Sequence, residues 1–409
     1  MGNNENRDTL MNNDVYQEYL NNFPRISEIE ELIGFCRSHR HVYIYGASEN
    51  CEYLGKFLNI SGVFIDGYIV INPERCSFNV FHLPLFAIDD LPNQEGVGVL
   101  LGIVDKYQEC VINILKDKKF DFFKISEHNK QTIANCLRLR PIEMQQFEVN
   151  ITDHCNLHCK GCNHFSNLVE RDTLLDFEEY SRDISRLSKI SAGKLKTIKL
   201  LGGEPLLHPN IVDFIKVTRI YFPHSSILLV TNGLLLLKMN NAFWQTIIEN
   251  KVFLRVTKYP IGVDYTKILK KAAEHGILNS NLNDNVPFSE VKGYMIKFPF
   301  DLSGNQEKYY FINCHHRIGC TVLRHGRIYP CPQIAYIAYF NKKFSKDLRV
   351  SKDDYIELHN VNDYHEIASF LSNRVPFCDY CDIKHRYHHQ NSFKWEKSTM
   401  DISEYMWKE

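Results

Sequence analysis

Three closely spaced cysteines are the sequence feature that most constrains the fold of this chain. Cys155, Cys159 and Cys162 follow the pattern C-x3-C-x2-C and come directly after a strand-like stretch at residues 146–151. Three thiolates can hold three corners of a cubane iron–sulfur cluster and leave the fourth iron without a protein ligand. An open metal position is where chemistry takes place, whereas a fully ligated metal usually stabilises the protein or carries electrons. A zinc knuckle or three buried thiols are the alternatives for such a short motif.

Length and composition indicate a soluble globular protein with more than one domain. The 409 residues suggest two or three domains, and 44% hydrophobic with 24% charged residues is the usual balance for this class. The formal net charge of -1 gives no overall basic character suited to nucleic acid. The longest apolar stretch, residues 226–239, is too short to span a bilayer. We also expect no signal peptide, because residues 1–22 are polar and rich in Asn.

The cysteine count points to metal binding in a reducing compartment. Eight of the thirteen cysteines fall into two groups with the spacing of metal ligands. The other five are scattered singly, and we expect them to be buried free thiols: Cys36, Cys51, Cys76, Cys110 and Cys136. An odd count that does not resemble a small disulfide framework favours the cytoplasm.

Strand-like and helix-like stretches alternate in the first third of the chain. We predict strands at 41–46, within 62–71, at 98–103 and at 120–125, and helices at 49–59 and 106–117. This alternation predicts a parallel, doubly wound α/β sheet. The first turn, Gly46-Ala-Ser-Glu-Asn-Cys51, keeps only the first glycine of the dinucleotide-binding fingerprint. We therefore expect a degenerate Rossmann-like domain for docking or substrate recognition, with a phosphate site at the next helix N-terminus as the weaker alternative.

A second series of strands and helices begins after Arg140-Pro141. We predict strands at 146–151, 197–201, 226–230 and 252–257, and helices at 177–188, 210–221 and 265–275. Site residues are expected at the carboxyl ends of these strands. The predicted organisation is a flexible segment (1–25), the Rossmann-like domain (26–143), the central core (144–300) and a region rich in Cys, His and aromatic residues (301–409).

The cysteine loop and two later turns together resemble the radical S-adenosylmethionine (radical SAM) superfamily. Leu200-Leu-Gly-Gly-Glu-Pro205 looks like the GGE motif of that superfamily, and Val230-Thr-Asn-Gly233 ends a later strand as a matching turn does in many members. The resemblance covers about residues 146–300 and implies a partial (β/α)6 barrel. It also implies that the three cysteines bind a 4Fe-4S cluster whose open iron chelates SAM. One electron would then release a 5′-deoxyadenosyl radical that abstracts hydrogen from a substrate.

The same resemblance implies which residues bind SAM. They are Gly202, Gly203, Glu204, Asn232 and Thr257. Paired glycines let a strand end approach a ligand closely, and a carboxylate suits an ammonium group. Thr257, Lys258 and Tyr259 end a strand and are positioned for the ribose or carboxylate of SAM, or for substrate. Plain turns are the alternative for these three residues and for the Asn-Gly pair. Gly161 is a departure, since members often have an aromatic residue there near the adenine; Phe165 or His164 would take its place.

Five further cysteines form the second group: Cys314, Cys320, Cys331, Cys378 and Cys381. Gly326-x4-Cys331 and Cys378-x2-Cys381 resemble the auxiliary-cluster extension called twitch, which is related to SPASM domains. Cys314 precedes Gly326 at the distance of that pattern. The resemblance therefore implies a second 4Fe-4S cluster on Cys314, Cys331, Cys378 and Cys381, with a structural zinc site as the alternative. Cys320 is left as a hydrogen-atom donor near a substrate radical, an ordinary buried thiol or an alternative fourth ligand.

The whole layout is similar to radical SAM proteins associated with bacterial surface-polysaccharide loci. This implies oxidation or epimerisation of a small polar substrate such as a sugar or nucleotide-sugar, with a reducing partner such as flavodoxin or ferredoxin. Modification of a ribosomally made peptide is the second candidate function, and a non-catalytic iron–sulfur or zinc scaffold is the third. We expect the aromatic-rich tail, residues 385–409, to pack over the core or the second cluster, or to form an oligomer contact.

Overall fold

The computed structural model describes residues 25–76, 83–91, 95–277, 294–314, 316–386 and 392–407. These residues form two compact units, and the mixture of helices and strands in each confirms the predicted α/β class. One unit contains the described residues up to Arg138 together with Glu307–Asn313, and the other contains Leu139–Gln306 and the described residues from Cys314 onwards. The predicted domain boundaries at 143/144 and 300/301 stay predictions. None of the helices in the described ranges is long and apolar enough to cross a membrane.

The first unit is built on a five-stranded parallel sheet with the order β3-β2-β1-β4-β5. Its strands are β1 (His41–Tyr45), β2 (Gly67–Val70), β3 (Leu85–Ala87), β4 (Val97–Leu101) and β5 (Asp121–Lys124). Its helices are α1 (Ile26–Ser38), α2 (Glu49–Ile60), α3 (Gln108–Asp117) and α4 (Glu127–Leu137). The strand order reverses at β1, which is the doubly wound arrangement that the sequence alternation predicts. Tyr43, Val99 and Leu115 are fully buried in its core.

The turn after β1 explains why only the first fingerprint glycine is present. Gly46 has a φ of 127°, and a Cβ there would lie 2.8 Å from the sulfur of Cys51. The buried Cys51 side chain therefore occupies the space next to the turn. Helix α2 also carries Glu49 and Glu52 in its first turn, and these side chains repel an anion at the helix N-terminus. The local charge counts against the phosphate site.

The second unit is built on a seven-stranded sheet with the order β13-β12-β11-β6-β7-β8-β9. Four consecutive parallel strands form one half of it: β6 (Gln146–Thr152), β7 (Thr197–Gly202), β8 (Ser226–Thr231) and β9 (Val252–Val256). The helices that follow these strands are α5 (Phe177–Ser191), α6 (Ile211–Tyr221), α7 (Asn241–Glu249) and α8 (Tyr265–Glu274). The described residues thus contain four strand–helix units of the expected barrel, and residues 278–293 lie outside them.

The Cys-rich extension adds three strands to the same sheet and also forms a separate two-stranded antiparallel sheet from its first and last strands. Its elements are β10 (Tyr294–Ile296), α9 (His316–Gly319), β11 (Thr321–Arg324), β12 (Arg327–Tyr329), α10 (Pro332–Phe344), β13 (Ile356–Glu357), α11 (Tyr364–Ser372), α12 (Ile383–Arg386) and β14 (Ser392–Lys394). Strand β11 pairs in parallel with β6, and β12 returns antiparallel to it. The β11–β12 hairpin is therefore fixed directly to the strand that leads into the first cysteine group.

Strand β6 alternates between apolar and polar residues, although both of its faces are buried. Its apolar residues pack in the core beneath the helices: Phe147, Val149 and Ile151. Glu148 and Asn150 point to the opposite face, since side chains alternate along a strand, and they are 6% and 5% exposed. Lys199 on β7 donates to Glu148 at 3.0 Å. The inner face of the sheet is thus polar, which is unusual for a buried parallel sheet.

A buried ion pair connects the end of β6 to the end of β11. The guanidinium of Arg324 donates two hydrogen bonds, each 2.8 Å long, to the two carboxylate oxygens of Asp153. The hydroxyl of Tyr339 also donates to Asp153. The side chains of Arg324 and Asp153 are 16% and 5% exposed. The pair holds the hairpin against the residue that starts the cysteine loop.

We expect Asp153→Asn to destabilise the second unit by about 3 kcal/mol, because it leaves a largely buried guanidinium without its counter-charge. The measurement is the free energy of unfolding in urea. Asp347→Asn is the matched control, since Asp347 pairs with Arg349 on the surface and both side chains are more than 70% exposed. Equal unfolding curves for D153N and D347N would show that this pair does not hold the hairpin.

Candidate metal and cofactor centre

The ends of β6 and β7 meet so closely that only glycine fits between them. The backbone N–H of Gly203 donates to the carbonyl of Thr152 at 2.9 Å, and the N–H of Glu204 donates to the carbonyl of His154 at 3.1 Å. The hydroxyl of Thr152 donates to the carbonyl of Glu204 at 2.9 Å. A Cβ on Gly203 would lie 2.0 Å from the carbonyl oxygen of His154. The predicted glycine–glycine–glutamate motif is therefore fastened to the start of the cysteine loop.

The three cysteines of the first group lie close to one another. The pKa of the Cys155 thiol is raised to about 12, mainly by burial, with smaller contributions from negative charge on Cys162, Glu204 and Cys159. The backbone N–H of Leu157 donates to the sulfur of Cys155 at 3.4 Å and offsets part of this effect. Ionised thiols here need positive charge nearby, which iron would supply. The donor set therefore fits a cluster that takes three thiolates.

Glu204 is a fully buried carboxylate whose hydrogen-bond donors are neutral. It accepts from the hydroxyl of Thr231 at 2.6 Å, from the N–H of Asn232 at 2.9 Å and from the N–H of Leu206 at 3.1 Å. Burial raises its pKa to about 7 in spite of these three bonds. A cationic group at this position would stabilise the charged carboxylate. The ammonium of an amino acid moiety such as that of SAM has the required charge and hydrogen-bonding capacity.

The other predicted SAM-binding residues lie at neighbouring strand ends. The side-chain amide of Asn232 donates to Asn156 at 2.8 Å and to the sulfur of Cys155 at 3.8 Å. The N–H of Thr257 donates to the carbonyl of Thr231 at 2.9 Å. All five predicted residues thus lie at the carboxyl ends of β7, β8 and β9, next to the cysteine loop. Their role in binding SAM stays a prediction.

Tyr259, for which the sequence left contact with SAM or substrate and a plain surface turn equally open, lies at the cysteine site. Burial raises the pKa of its hydroxyl well above the usual value, and negative charge on Cys159, Cys162 and Cys155 adds to that rise. Its hydroxyl also hydrogen-bonds Cys159. A backbone hydrogen bond helps to hold Tyr259 in this position: its N–H donates to the hydroxyl of Tyr265 at 3.0 Å.

The aromatic ring beside Gly161 is neither of the two that the sequence suggested. Phe165 is fully buried in a cluster of rings: Phe300, Phe340 and Tyr405. His164 hydrogen-bonds Asn150 at 3.1 Å and stacks on Tyr336. The ring of Phe393 is what a Cβ on Gly161 would meet, at 3.5 Å. Because Phe393 lies in β14, more than two hundred residues further along, the short motif gave no sign of it.

Four cysteines of the second group come together. Burial raises the pKa of Cys331, and charge on Cys314 and Cys378 raises it further. Burial likewise raises the pKa of Cys381, with contributions from Cys378, Cys331 and Cys314. Arg386 donates to the sulfur of Cys314 at 3.3 Å. These are the four predicted ligands, and their burial and proximity fit a second cluster in which each thiolate binds a different iron.

Within the described ranges, no group of three or more His, Cys, Asp and Glu side chains is arranged to hold a metal ion. This holds for both cysteine groups, so the clusters assigned to them rest on the residue types and their proximity.

Cys320 lies in a different environment from these four. Burial raises the pKa of its thiol well above the usual value, and the largest charge effects come from Glu148 and then Lys199. Arg386 and Cys331 have smaller effects. Cys320 thus borders the polar inner face of the sheet, with the second cysteine group next to it on the Cys331 side.

The central part of the chain is similar in sequence to one known superfamily of enzymes. Residues 149–282 match the sequence model of the Radical SAM superfamily. GTP 3',8-cyclase of Clostridium perfringens (strain SM101 / Type A) is 33% identical over 96 residues, which are 23% of this chain and 29% of that protein. GTP 3',8-cyclase of Staphylococcus epidermidis (strain RP62A) is 34% identical over 165 residues, which are 39% of this chain and 45% of that protein. The chain therefore spans less than half the length of these curated relatives.

Solved structures show a more distant likeness. The crystal structure of BtrN in complex with AdoMet and 2-DOIA is 18% identical and has a TM-score of 0.36, over 58% of this chain and 93% of BtrN.

We expect Gly203→Ala to prevent iron binding at the first cysteine group, because the added methyl group would displace the backbone of His154, the residue before Cys155. The measurement is iron per chain after anaerobic reconstitution. Gly34→Ala is the control, since no atom lies within 4 Å of a Cβ at that helical position. If G203A bound as much iron as the wild-type protein and had the same visible absorption spectrum, the requirement for glycine at position 203 would be contradicted.

Proposed function

We propose that this chain is an enzyme that cleaves SAM reductively and abstracts hydrogen from a small polar substrate, because residues 149–282 match the sequence model of the Radical SAM superfamily. Cys155, Cys159 and Cys162 would hold a 4Fe-4S cluster. The cofactors would supply the chemistry, namely the one-electron reductive cleavage of SAM to methionine and a 5′-deoxyadenosyl radical that would abstract a hydrogen atom from the substrate. The protein would bind and orient these groups and exclude water.

The observation that carries this proposal is the position of Glu204. Its buried carboxylate lies one strand end away from the cysteine loop, and among the described residues its three hydrogen-bond donors are neutral. An ammonium group that reaches Glu204 would lie close to the metal held by the cysteines. A molecule that bridges a metal and a carboxylate in this way needs an amino group next to a metal-binding group, as SAM has. A plain metal scaffold does not require such a carboxylate.

A second 4Fe-4S cluster on Cys314, Cys331, Cys378 and Cys381 forms part of the proposal. With four protein thiolates it would accept or pass on an electron, which suits a net oxidation of the substrate. If one ligand were labile, the cluster could bind substrate instead. A structural zinc site at these four residues is the competing assignment.

The substrate we propose is a sugar or nucleotide-sugar, oxidised or epimerised at carbon. The polar inner face of the sheet supports this class, because Glu148, Asn150 and Lys199 offer hydrogen bonds and charge where an apolar core would be usual. The relatives are named for a reaction of GTP, a nucleotide that carries ribose. Modification of a ribosomally made peptide is the alternative, and the non-catalytic scaffold is the third.

The proposed partners follow from the chemistry. Each turnover that begins with reductive cleavage needs one electron, so we include a reductase such as flavodoxin or ferredoxin. Low-potential clusters and thirteen cysteines without a disulfide favour the reducing cytoplasm.

The direct test of activity is anaerobic reconstitution followed by incubation with SAM and dithionite. Formation of 5′-deoxyadenosine, and transfer of deuterium into it from a labelled sugar or nucleotide-sugar, would support the proposal. Absence of 5′-deoxyadenosine from a protein that contains the first cluster, with substrate candidates present, would favour the scaffold.

We expect about eight irons per chain for two cubane clusters. Cys331→Ala and Cys314→Ala should each lower the count towards four, whereas Cys320→Ala should leave it unchanged. Cys110→Ala is the control, because this cysteine is exposed on α3. Zinc at the second group would replace the auxiliary iron cluster in the proposal. Unchanged turnover in C320A would in addition exclude that thiol as the hydrogen-atom donor.

We expect Glu204→Gln to keep the first cluster but to weaken SAM binding by about 10- to 100-fold, which corresponds to the loss of one charge-assisted hydrogen bond. The measurement is a SAM titration of the reduced cluster followed by electron paramagnetic resonance (EPR). Glu178→Gln, at an exposed position on α5, is the control. Wild-type SAM affinity in E204Q would remove the carboxylate from the binding site.

A further inference from the structure

The end of the chain lies along the first cysteine loop and pairs with it. We call residues 392–407 the C-terminal strap. Cys159 and Lys397 form an antiparallel β-bridge. The N–H of Lys160 donates to the carbonyl of Glu396 at 3.0 Å, and the N–H of Ser398 donates to the carbonyl of His158 at 2.8 Å. These backbone bonds fix the register of the strap against the loop. The tail therefore packs on the core, at the first cysteine group.

A buried carboxylate fastens the strap. Glu404 is 2% exposed, and it accepts from the N–H of Gly161 at 3.4 Å and from the hydroxyl of Ser398 at 2.8 Å. The N–H of Thr399 donates to the other carboxylate oxygen at 2.7 Å. Because Gly161 lies next to Cys162, these bonds connect both ends of the strap to the loop. The side chains that the strap presents to the cysteines are thus held in place.

One of these side chains reaches a predicted cluster ligand. The indole N–H of Trp395 donates to the sulfur of Cys159 at 3.2 Å. The ring of Trp395 also contacts that of Tyr259, with 5.9 Å between centroids, and Tyr259 hydrogen-bonds the same sulfur. Cys159 therefore accepts from two aromatic side chains that come from different parts of the chain.

We propose that Trp395 is a positioning residue that raises the reduction potential of the cluster at Cys155, Cys159 and Cys162. Reduction adds one negative charge to the cluster, and part of that charge lies on the thiolate sulfurs. A hydrogen bond to a ligand sulfur stabilises the reduced form more than the oxidised form, which is how such bonds set cluster potentials. The inference rests on the proposed function for the presence of the cluster.

The experiment is a potentiometric titration of the reconstituted protein, followed by EPR of the reduced first cluster. It uses a background in which Cys331→Ala removes the auxiliary signal. Trp395→Phe keeps an aromatic ring and removes the N–H. We expect the ratio of reduced to oxidised cluster at a fixed applied potential to fall about tenfold, which is a shift of about 59 mV to lower potential for one electron. Trp407→Phe is the matched control, since Trp407 lies in the same strap but stacks on His385.

A second variant keeps the shape of the indole as well. Benzothienylalanine at position 395 replaces only the N–H by sulfur, and it should give the same fall in potential even if W395F does not retain iron. An unchanged potential in this protein, or an equal shift in W407F, would overturn the role of Trp395. Absence of iron at the three cysteines of the wild-type protein would instead overturn the proposed function, and with it this inference.

Discussion

The candidate site depends on one close approach, that of the end of β7 to the first residues of the cysteine loop. Gly203 has its backbone against the carbonyl of His154, where no side chain fits. The bonds on either side of this contact, at Thr152 and Glu204, extend the pairing of β6 and β7 beyond their regular ends. A loop that could move independently of β7 would not keep three thiols and a buried carboxylate at a fixed separation. The geometry of the site is therefore set by strand packing rather than by the loop sequence.

The Cys-rich extension contributes to the site through two further attachments. Its β11–β12 hairpin joins β6, and the ion pair between Arg324 and Asp153 fastens the hairpin two residues before Cys155. The C-terminal strap covers the other side of the loop and adds Trp395. Both attachments arise within one compact unit, so the residues that hold the two cysteine groups share one sheet and its flanking loops. A change in the extension can thus alter the chemistry at the first group without touching its cysteines.

The sequence predicted what depends on local pattern and missed what depends on distant pairing. Four strands of each sheet were predicted from their apolar runs, and the cysteine triplet and Glu204 were predicted because short motifs follow those strands; the structure places the triplet and Glu204 close together. Strand β3 and strands β11 to β13 were missed, because each is short. Helix α4 is weakly periodic, whereas α1 was missed although its buried residues recur at helical spacing: Ile29, Leu32, Ile33 and Cys36. No local sequence pattern indicates that Trp395 contacts Cys159. The alternation of aromatic and charged residues at 392–397 is typical of a strand. The position at which this strand packs is decided by tertiary contacts, which a local pattern does not show.

The thiols and the carboxylate of the first site share one electrostatic constraint. Burial is the largest cause that raises the pKa of Cys155, to about 12, and negative charge on Glu204 contributes to that rise. Burial also raises the pKa of Glu204, to about 7. A bound metal would favour the ionised thiols, and an ammonium group would favour the ionised carboxylate. Each ligand that binds only the folded site would therefore stabilise the fold.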